Sequence, residues 1–548
     1  MMTSRMKASI LEFAAVAAAL GLFLAIGFWR LGATTFFMDE ATRAHQAALS
    51  VAELLDALRD DIHPPLYMLL LHEWMRFWGG SDTALRALSL FFSAFHLVIV
   101  FVTWRALGVC LPQRAAALIL LAASPAFVDY SRLAFSWPFF HMLVSGVVLC
   151  YVRSASTPSG WLTIRGGVAV FLCLVITGAM ALYTNYIAGV VILTVFVMWM
   201  LQIQLWKRVS AARPSSPAWR WPIIWISALA GLFLPWLPVF IRQWSRYCLT
   251  PGGGPPLADR LIGILVRLGA CGFQFLFGDS INPANWLAAG IGISCAAWLT
   301  WKGIVYMRSR LAPGARDAVR AYMSLQGAMF AACLAATSLV HGGQNPVFTP
   351  ERMLFALPPL ALIIGCGLAA AVPTDKECML SALRIAAVAI GVALLHHMHN
   401  TGSTFLNWAY HTHWTAYSMA IEAGLYPKHA GDRAVVAFDN YSFGRAGERY
   451  LSGLGDVVPI LDPQSWKLAA GFTEITSGTK ILIWVQATRD ASPGRVITES
   501  RDQAAAGGRV VKSFEFLSDS PAWHHLKQRL AGRKVEEHKI RAEIIVRQ

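Results

Sequence analysis

Residues 8–40 read ASILEFAAVAAALGLFLAIGFWRLGATTFFMDE. The stretch 8–29 is long and apolar enough to cross the roughly 30 Å of hydrocarbon in a bilayer. It is too long for the apolar core of a cleaved leader and lacks a small-x-small cleavage site, so it reads as a membrane anchor. Arg5 and Lys7 precede it, and the adjacent carboxylates Asp39 and Glu40 follow it. Ten further apolar runs lie at 84–104, 115–128, 138–152, 166–182, 186–206, 221–241, 285–303, 321–340, 353–371 and 383–399. The chain therefore reads as a polytopic α-helical membrane protein with about 11 transmembrane helices.

Composition supports this reading. Of the 548 residues, 56% are hydrophobic and 14% charged, against roughly 25% charged in soluble chains. That excludes a disordered chain, a disulfide-stapled secreted module and a collagen. The net charge of +15 raises the question of nucleic acid, and its distribution answers it. From Ala430 onward there are 17 Lys/Arg against 14 Asp/Glu, while the preceding part holds the other 29 and 17. The excess sits between apolar runs, at Arg105 and Arg114, at Arg153 and Arg165, at Lys207, Arg208, Arg213 and Arg220, and at Lys302, Arg308, Arg310, Arg316 and Arg320. With the N-terminus cytoplasmic, all of these clusters fall inside, as the positive-inside rule requires, and the C-terminus falls outside. No basic face forms for nucleic acid. The nine cysteines show no metal-ligand pairing and read as small apolar packing residues.

After Tyr410 the texture changes. Short β-rich segments at 434–439, 456–461, 480–486, 510–516 and 543–546, with helical stretches between several of them, predict a small C-terminal extracytoplasmic α/β domain around a mainly parallel sheet. The expected division is 1–410 for the membrane domain and 411–548 for the soluble one. No phosphate-binding glycine loop or nucleophile elbow occurs in it.

Chemistry concentrates in the long first outside loop, 30–83. For Asp39–Glu40 two readings stand: solvated interfacial charge, or a general base held where a membrane-bound substrate meets an acceptor hydroxyl. Residues 41–58 read as one amphipathic helix on the membrane surface, carrying Arg43 near the acidic pair. Asp60–Asp61–Ile62–His63–Pro64–Pro65 then starts a helix whose apolar face holds Leu66, Leu69, Leu70 and Trp74. Such a start can aim backbone donors and His63 at an anionic group, or it is simply how the helix begins.

The acidic pair, the amphipathic segment and HPPLYMLLLHEWMRFWGGSDTALRALS (63–89) together resemble the GT-C integral-membrane glycosyltransferases, among them the bacterial members similar to protein mannosyltransferases and aminoarabinose transferases. LYTNY (182–186), LPW (234–236) and PERMLFALPPL (350–360) agree, so the resemblance covers nearly the whole chain. It implies a multi-pass protein of a bacterial inner membrane. A sugar would move from a polyprenyl-phosphate-linked donor to a glycan, lipid or protein acceptor on the extracytoplasmic face, among membrane lipids. Carried onto this sequence, Asp39 is the catalytic carboxylate with Glu40 second. His63 and Arg352 become phosphate contacts, with Arg43 a third and Asp61 beside His63.

One segment departs from the family. Relatives carry a Tyr-Ser-x-Glu-Ala-Arg-like motif in the second outside loop, whereas this chain has Asp129–Tyr130–Ser131–Arg132–Leu133–Ala134–Phe135. Leu133 and Phe135 stand at the acidic and basic positions. Asp129 and Arg132 either replace them toward substrate or form an interfacial ion pair, which leaves a divalent metal there open. His396, His397, His399, His411 and His413 read as interfacial histidines, and Trp408, Tyr410, Trp414 and Tyr417 as an aromatic belt. Residues 341–346 read as a flexible outside turn. Competing functions are a transporter or flippase of lipid-linked sugars and a non-catalytic envelope-assembly protein. The first would show charged or broken helices at mid-membrane, and the second would leave the DE and HPP motifs without a purpose.

Overall fold

The computed structural model describes all residues except 1, 37, 156–165, 210–218, 249–256, 279–285, 341–348, 371–413, 426–433, 463–466, 488–491, 507, 518–538 and 548. The chain forms two compact units: Met1–Trp29, Leu49–Gly79 and Ala84–His399 in one, and Arg30–Ala48, Gly80–Thr83 and Asn400–Gln548 in the other. The first outside loop is thus divided between them.

The helices up to residue 370 are α1 (Met2–Phe28), α2 (Met38–Ala48), α3 (Val51–Arg59), α4 (Leu66–Trp78), α5 (Asp82–Ala106), α6 (Leu111–Ala123), α7 (Pro125–Ser131), α8 (Trp137–Ala155), α9 (Gly166–Leu182), α10 (Ile187–Val209), α11 (Arg220–Phe233), α12 (Leu237–Cys248), α13 (Leu257–Phe277), α14 (Trp286–Ser309), α15 (Pro313–Val340) and α16 (Leu357–Ala370). Among the described residues five helical segments are long and apolar enough to cross a membrane: Ser9–Phe28, Asp82–Ala106, Ile187–Gln204, Arg220–Ser245 and Trp286–Ser309. The pair α6–α7 makes a sixth when counted as one span bent by 54°. Proline explains the bend. Pro125 brings no N–H to α6, and Ser124 before it is driven to the extended region at ψ 123°. The eleventh expected run, 383–399, lies outside the described residues.

Helix α13 is one that hydropathy alone does not pick out. Asp259, Arg260 and Arg267 interrupt it, leaving only Leu268–Phe277 as an apolar run. The outward residues of the long helices are themselves apolar, such as Leu193, Val197 and Leu201 on α10 and Ile291 and Trp298 on α14. That is the surface of a chain whose solvent is lipid.

Small residues set the closest helix packing. A Cβ on Gly303 of α14 would stand 1.9 Å from the Ile363 carbonyl of α16, and one on Gly367 would stand 2.1 Å from the Leu299 carbonyl. Each glycine therefore faces the carbonyl four residues before the other. Because Cβ bonds tilt toward a helix N-terminus, this reciprocity belongs to two helices running in the same direction. On another side of α16, a Cβ on Gly365 would meet Ala117 of α6 at 2.7 Å. The described cysteines are free thiols, with Cys150, Cys271, Cys333 and Cys366 buried.

The second unit holds α17 (Trp414–Leu425), β1 (Ala434–Phe438), α18 (Asn440–Leu451), β2 (Asp456–Pro459), α19 (Phe472–Ser477), β3 (Ile481–Ala487), α20 (Ser492–Ala506), β4 (Arg509–Leu517) and β5 (Lys539–Val546). Its sheet has the order β2-β1-β3-β5-β4. Pairs β1–β2 and β1–β3 are parallel, whereas β5 is antiparallel to both β3 and β4. The first four strands thus share one direction, as expected of crossovers through helices. The sheet is nonetheless mixed, because β5 inserts between β3 and β4 with reversed polarity. The core gathers Ile460, Leu461, Phe472, Leu482, Trp484 and Ile545. Glu543 on β5 is buried and is held by Arg501 at 2.7 Å and Arg541 at 2.8 Å, the pairing an interior carboxylate requires.

Candidate functional site

Residues 41–58 do not form one helix. Ser50 and Glu53 make a capping box that ends the helical run and begins α3: Ser50 Oγ accepts from the Glu53 N–H, and Glu53 Oε2 accepts from the Ser50 N–H at 3.0 Å. The break places Asp39, Glu40 and Arg43 on α2 in the second unit, and Asp61 and His63 in the first.

In the first unit, α3 ends at Asp60 and the chain turns through Asp61–Ile62–His63. Asp61 Oδ1 accepts from the Ile62 N–H at 2.5 Å and lies 2.9 Å from His63 Nδ1. Nδ1–H donates to this carboxylate, which fixes the orientation of the ring. The imidazole is half-buried and stands edge-on to Phe135, with ring centroids 5.5 Å apart. Phe135 occupies the family's basic position, so here that position packs against His63 instead of supplying charge. The donors at the start of α4 are not all available to an anion, because the Leu66 N–H donates to the Tyr183 carbonyl at 2.9 Å. Helix α4 buries Tyr67, Met68 and Leu71, while Leu66, Leu69 and Leu70 are half-exposed. In a lipid-facing protein apolarity does not by itself mark the buried side.

The LYTNY and LPW segments meet beside this turn. Trp236 Nε1 donates to Tyr186 Oη at 2.9 Å, Tyr186 Oη donates to Gln243 Oε1 at 2.5 Å, and Gln243 Nε2 donates to the Leu58 carbonyl at 2.7 Å. Arg242 pairs with Asp60 at 2.7 Å. The end of α3, just ahead of the turn, is thereby fastened to α12 at two points. The Tyr186 hydroxyl thus accepts from one partner and donates to another, and serves as a hydrogen-bonding post.

Asp129 lies on α7, two residues before its last residue Ser131, and Arg132 caps that helix. Arg132 Nη2 donates to the Trp29 carbonyl at 2.8 Å. Burial lowers its pKa, Asp129 raises it, and a second cation, Arg86, lowers it. Arg86 is 2% exposed, in the second turn of α5. It was not singled out from sequence because it reads there as an ordinary charge near a span end. Asp129 and Arg86 thus lie close enough to Arg132 for both of their charges to act on it. Tyr130 accepts from Gln274 Nε2 of α13 at 2.6 Å, which anchors the same segment.

Arg352 closes a 3-10 turn, Pro350–Arg352, ahead of α16 and is half-buried. Its neighbour Glu351 is buried, and the Glu351 carbonyl accepts from His141 Nε2 at 2.8 Å.

In the second unit, Asp39 and Glu40 lie in the first turn of α2, where the helix dipole favours negative charge. Asp39 is half-buried and Glu40 fully buried. Arg43 is 7% exposed, one turn on, and donates to Gln46 at 2.7 Å. Helix α2 packs on α18, which supplies a clamp that sequence reasoning did not find. Arg449 lies over the Phe36 ring at 4.9 Å and donates to the Gly80 carbonyl at 2.7 Å and to Asp82 at 3.0 Å. Tyr450 Oη donates to Asp82 and accepts from the Phe36 N–H at 2.7 Å. The pK of that phenol is raised by burial first and by Asp82 second, so it remains the donor.

Tyr417, expected in an aromatic belt, stacks instead on Phe516 of β4 at 4.3 Å, because α17 belongs to the α/β unit. Trp408, Tyr410, the five histidines between 396 and 413, and residues 341–346 lie outside the described residues. Among the described residues no three His, Cys, Asp or Glu side chains converge to hold a metal ion.

The structure aligns with ArnT from Cupriavidus metallidurans bound to undecaprenyl phosphate over 96% of this chain and 97% of that one, with TM-score 0.54 and 13% identity. The chain has the GT-C fold. The apo state of the same transferase aligns equally well, with TM-score 0.54 and 12% identity over the same shares. The Archaeoglobus fulgidus oligosaccharyltransferase aligns more loosely, over 86% of this chain and 69% of that one, with TM-score 0.46 and 12% identity. No protein-family model matches the sequence, and no curated protein matches it in sequence. At such identities the likeness is one of fold, and with the apolar helices it makes this GT-C chain an integral membrane protein.

Proposed function

We propose that the protein transfers a sugar from a polyprenyl-phosphate carrier to a glycan, lipid or protein acceptor on the extracytoplasmic face of a bacterial inner membrane. The observation that carries this reading is the placing of Arg86, Arg132 and Asp129 in the first unit, which also holds the His63–Asp61 pair, within a fold whose solved relative is bound to undecaprenyl phosphate. The basic clusters support eleven spans with the N-terminus cytoplasmic and the C-terminal domain outside.

In the reaction the acceptor oxygen attacks the anomeric carbon, the bond from that carbon to the phosphate oxygen breaks, and the configuration inverts. The acceptor's proton passes to the Asp39 carboxylate, with Glu40 orienting it. The departing phosphate takes the electron pair and a growing negative charge, which cations must meet. Arg352, Arg43 and the imidazolium form of His63, which carries a proton on Nε2 as well as Nδ1, fill that role, and Arg86 and Arg132 are further cations of the first unit. Tyr186 keeps the His63 turn in place.

The test is sugar transfer from a labelled undecaprenyl-phosphate sugar in proteoliposomes. Asp39→Asn is expected to lower turnover by about 10²–10⁴-fold, the usual contribution of a general base. Wild-type turnover in a normally folded Asp39→Asn protein would remove Asp39 from the chemistry.

A further inference from the structure

A cavity of about 840 Å³ lies between α13, α14, α15 and the start of α16, and none of the residues assigned above lines it. Its volume falls in the range of roughly 300–1,000 Å³ typical of sites for small ligands. The wall is mostly apolar, with Leu268, Phe275, Met323, Phe330 and Ile363 among its residues. Charge is confined to one end, where Arg308 at the end of α14 and Arg316 and Arg320 in the first turns of α15 all line it.

Arg316 to Phe330 covers fourteen residues of α15, or about 21 Å at the helical rise. The cavity therefore extends along most of one bilayer half and beyond. Its cations are incompletely satisfied. Arg316 Nη2 donates to the Leu311 carbonyl at 3.0 Å, but its Nε is buried with no partner. Arg320 has Asp317 at 3.5 Å, one carboxylate among three guanidiniums. Because α14 and α16 run in the same direction, Arg308, which ends α14, and Arg352, which precedes α16, belong to opposite ends of this helix pair.

We infer that this cavity binds an anionic glycerophospholipid, its phosphate on Arg308, Arg316 and Arg320 and an acyl chain along the apolar wall. A long apolar slot with cations at one end matches an amphiphile with one anionic head. A polyprenyl-phosphate donor held through Arg352 would place its phosphate at the other end. The inference does not depend on glycosyl transfer.

The test is native mass spectrometry of the full-length protein released from nanodiscs containing phosphatidylglycerol or phosphatidylcholine. Retention of one phosphatidylglycerol and loss of phosphatidylcholine are expected. The triple variant Arg308→Gln/Arg316→Gln/Arg320→Gln should weaken retention about a hundredfold, at roughly 1 kcal/mol for each cation. Gly327→Leu tests the slot with its charge intact. Gly327 lines the cavity and a Cβ there meets nothing within 4 Å, so the added side chain starts into open space. It should cut retention while leaving the thermal midpoint unchanged, and it decides the question if the triple variant fails to fold. Equal retention of both lipids, full retention by either folded variant, or mole-for-mole displacement by undecaprenyl phosphate would overturn the inference.

Discussion

Residues 30–48 and 49–79 are adjacent in sequence and both carry groups assigned to the reaction, yet each is fixed by a different part of the chain. The earlier stretch holds Asp39, Glu40 and Arg43 and is secured within the C-terminal unit, where Phe36 meets Arg449 and Tyr450 of α18. The later stretch holds Asp61 and His63 and is secured within the membrane unit, by Tyr183 on Leu66, Gln243 on Leu58 and Arg242 on Asp60. The proposed general base and the proposed phosphate contact thus have separate supports. The C-terminal unit then acts as scaffold for the proposed general base.

The largest effect should come from the chemistry itself, through the loss of turnover in Asp39→Asn described above. A smaller effect should follow on the other side of the break. Asp61→Asn keeps the size of the side chain but no longer gives the Nδ1–H of a charged His63 an anionic acceptor. Turnover should fall about tenfold, the worth of one charge-assisted hydrogen bond of roughly 1.4 kcal/mol. The measurement is steady-state kinetics with the same donor. An unchanged rate would mean that His63 is oriented without Asp61 and would weaken its assignment to the phosphate.

Tyr450→Phe addresses the scaffold directly. It removes the hydroxyl that serves both Asp82 and the Phe36 N–H, at a cost of about 1–3 kcal/mol for groups left unsatisfied. Hydrogen exchange should quicken in α2 while α3 keeps wild-type protection. Equal loosening of both helices would show that the two stretches form one cooperative element, and the comparison would fail. Turnover should fall with α2 protection, since the group that α2 carries is the proposed base.

What sequence could reveal here follows from the range of the forces involved. Apolar run length is a local property, and α1, α5, α10 and α14 lie where hydropathy places them. All five β-strands were also legible, from β-branched clusters between polar segments. Strand order was not, because the insertion of β5 between β3 and β4 depends on pairing across distant sequence. The same limit hid Tyr450, whose partner Phe36 is 414 positions away. Arg86 was hidden for another reason: a guanidinium in an early helical turn looks solvated until the fold buries it. The capping box, by contrast, was plainly written as Ser50–Val51–Ala52–Glu53, but the amphipathic pattern running through it favoured a single helix.

That capping box supplies the smallest and most local prediction. Ser50→Ala removes the side-chain acceptor for the Glu53 N–H and the partner that holds the Glu53 carboxylate at 2.7 Å. Glu53 is held below the usual carboxylate range chiefly by the Ser50 hydroxyl and then by the Ser50 N–H, so it accepts these bonds while ionised. A depressed carboxylate pKa contributes stability above its ordinary titration range and loses it as pH falls through the folded value. Cap loss typically costs about 0.5–2 kcal/mol. Ser50→Ala should therefore speed exchange in the first turn of α3 at neutral pH, and the gap from wild type should shrink as acid protonates Glu53 in both proteins. Helix α2 lies beyond the break and is clamped from α18, so its protection should not change at any pH. A response in α2 as large as that in α3 would mean that the helical run crosses Ser50 in solution, and the division of the loop would have to move.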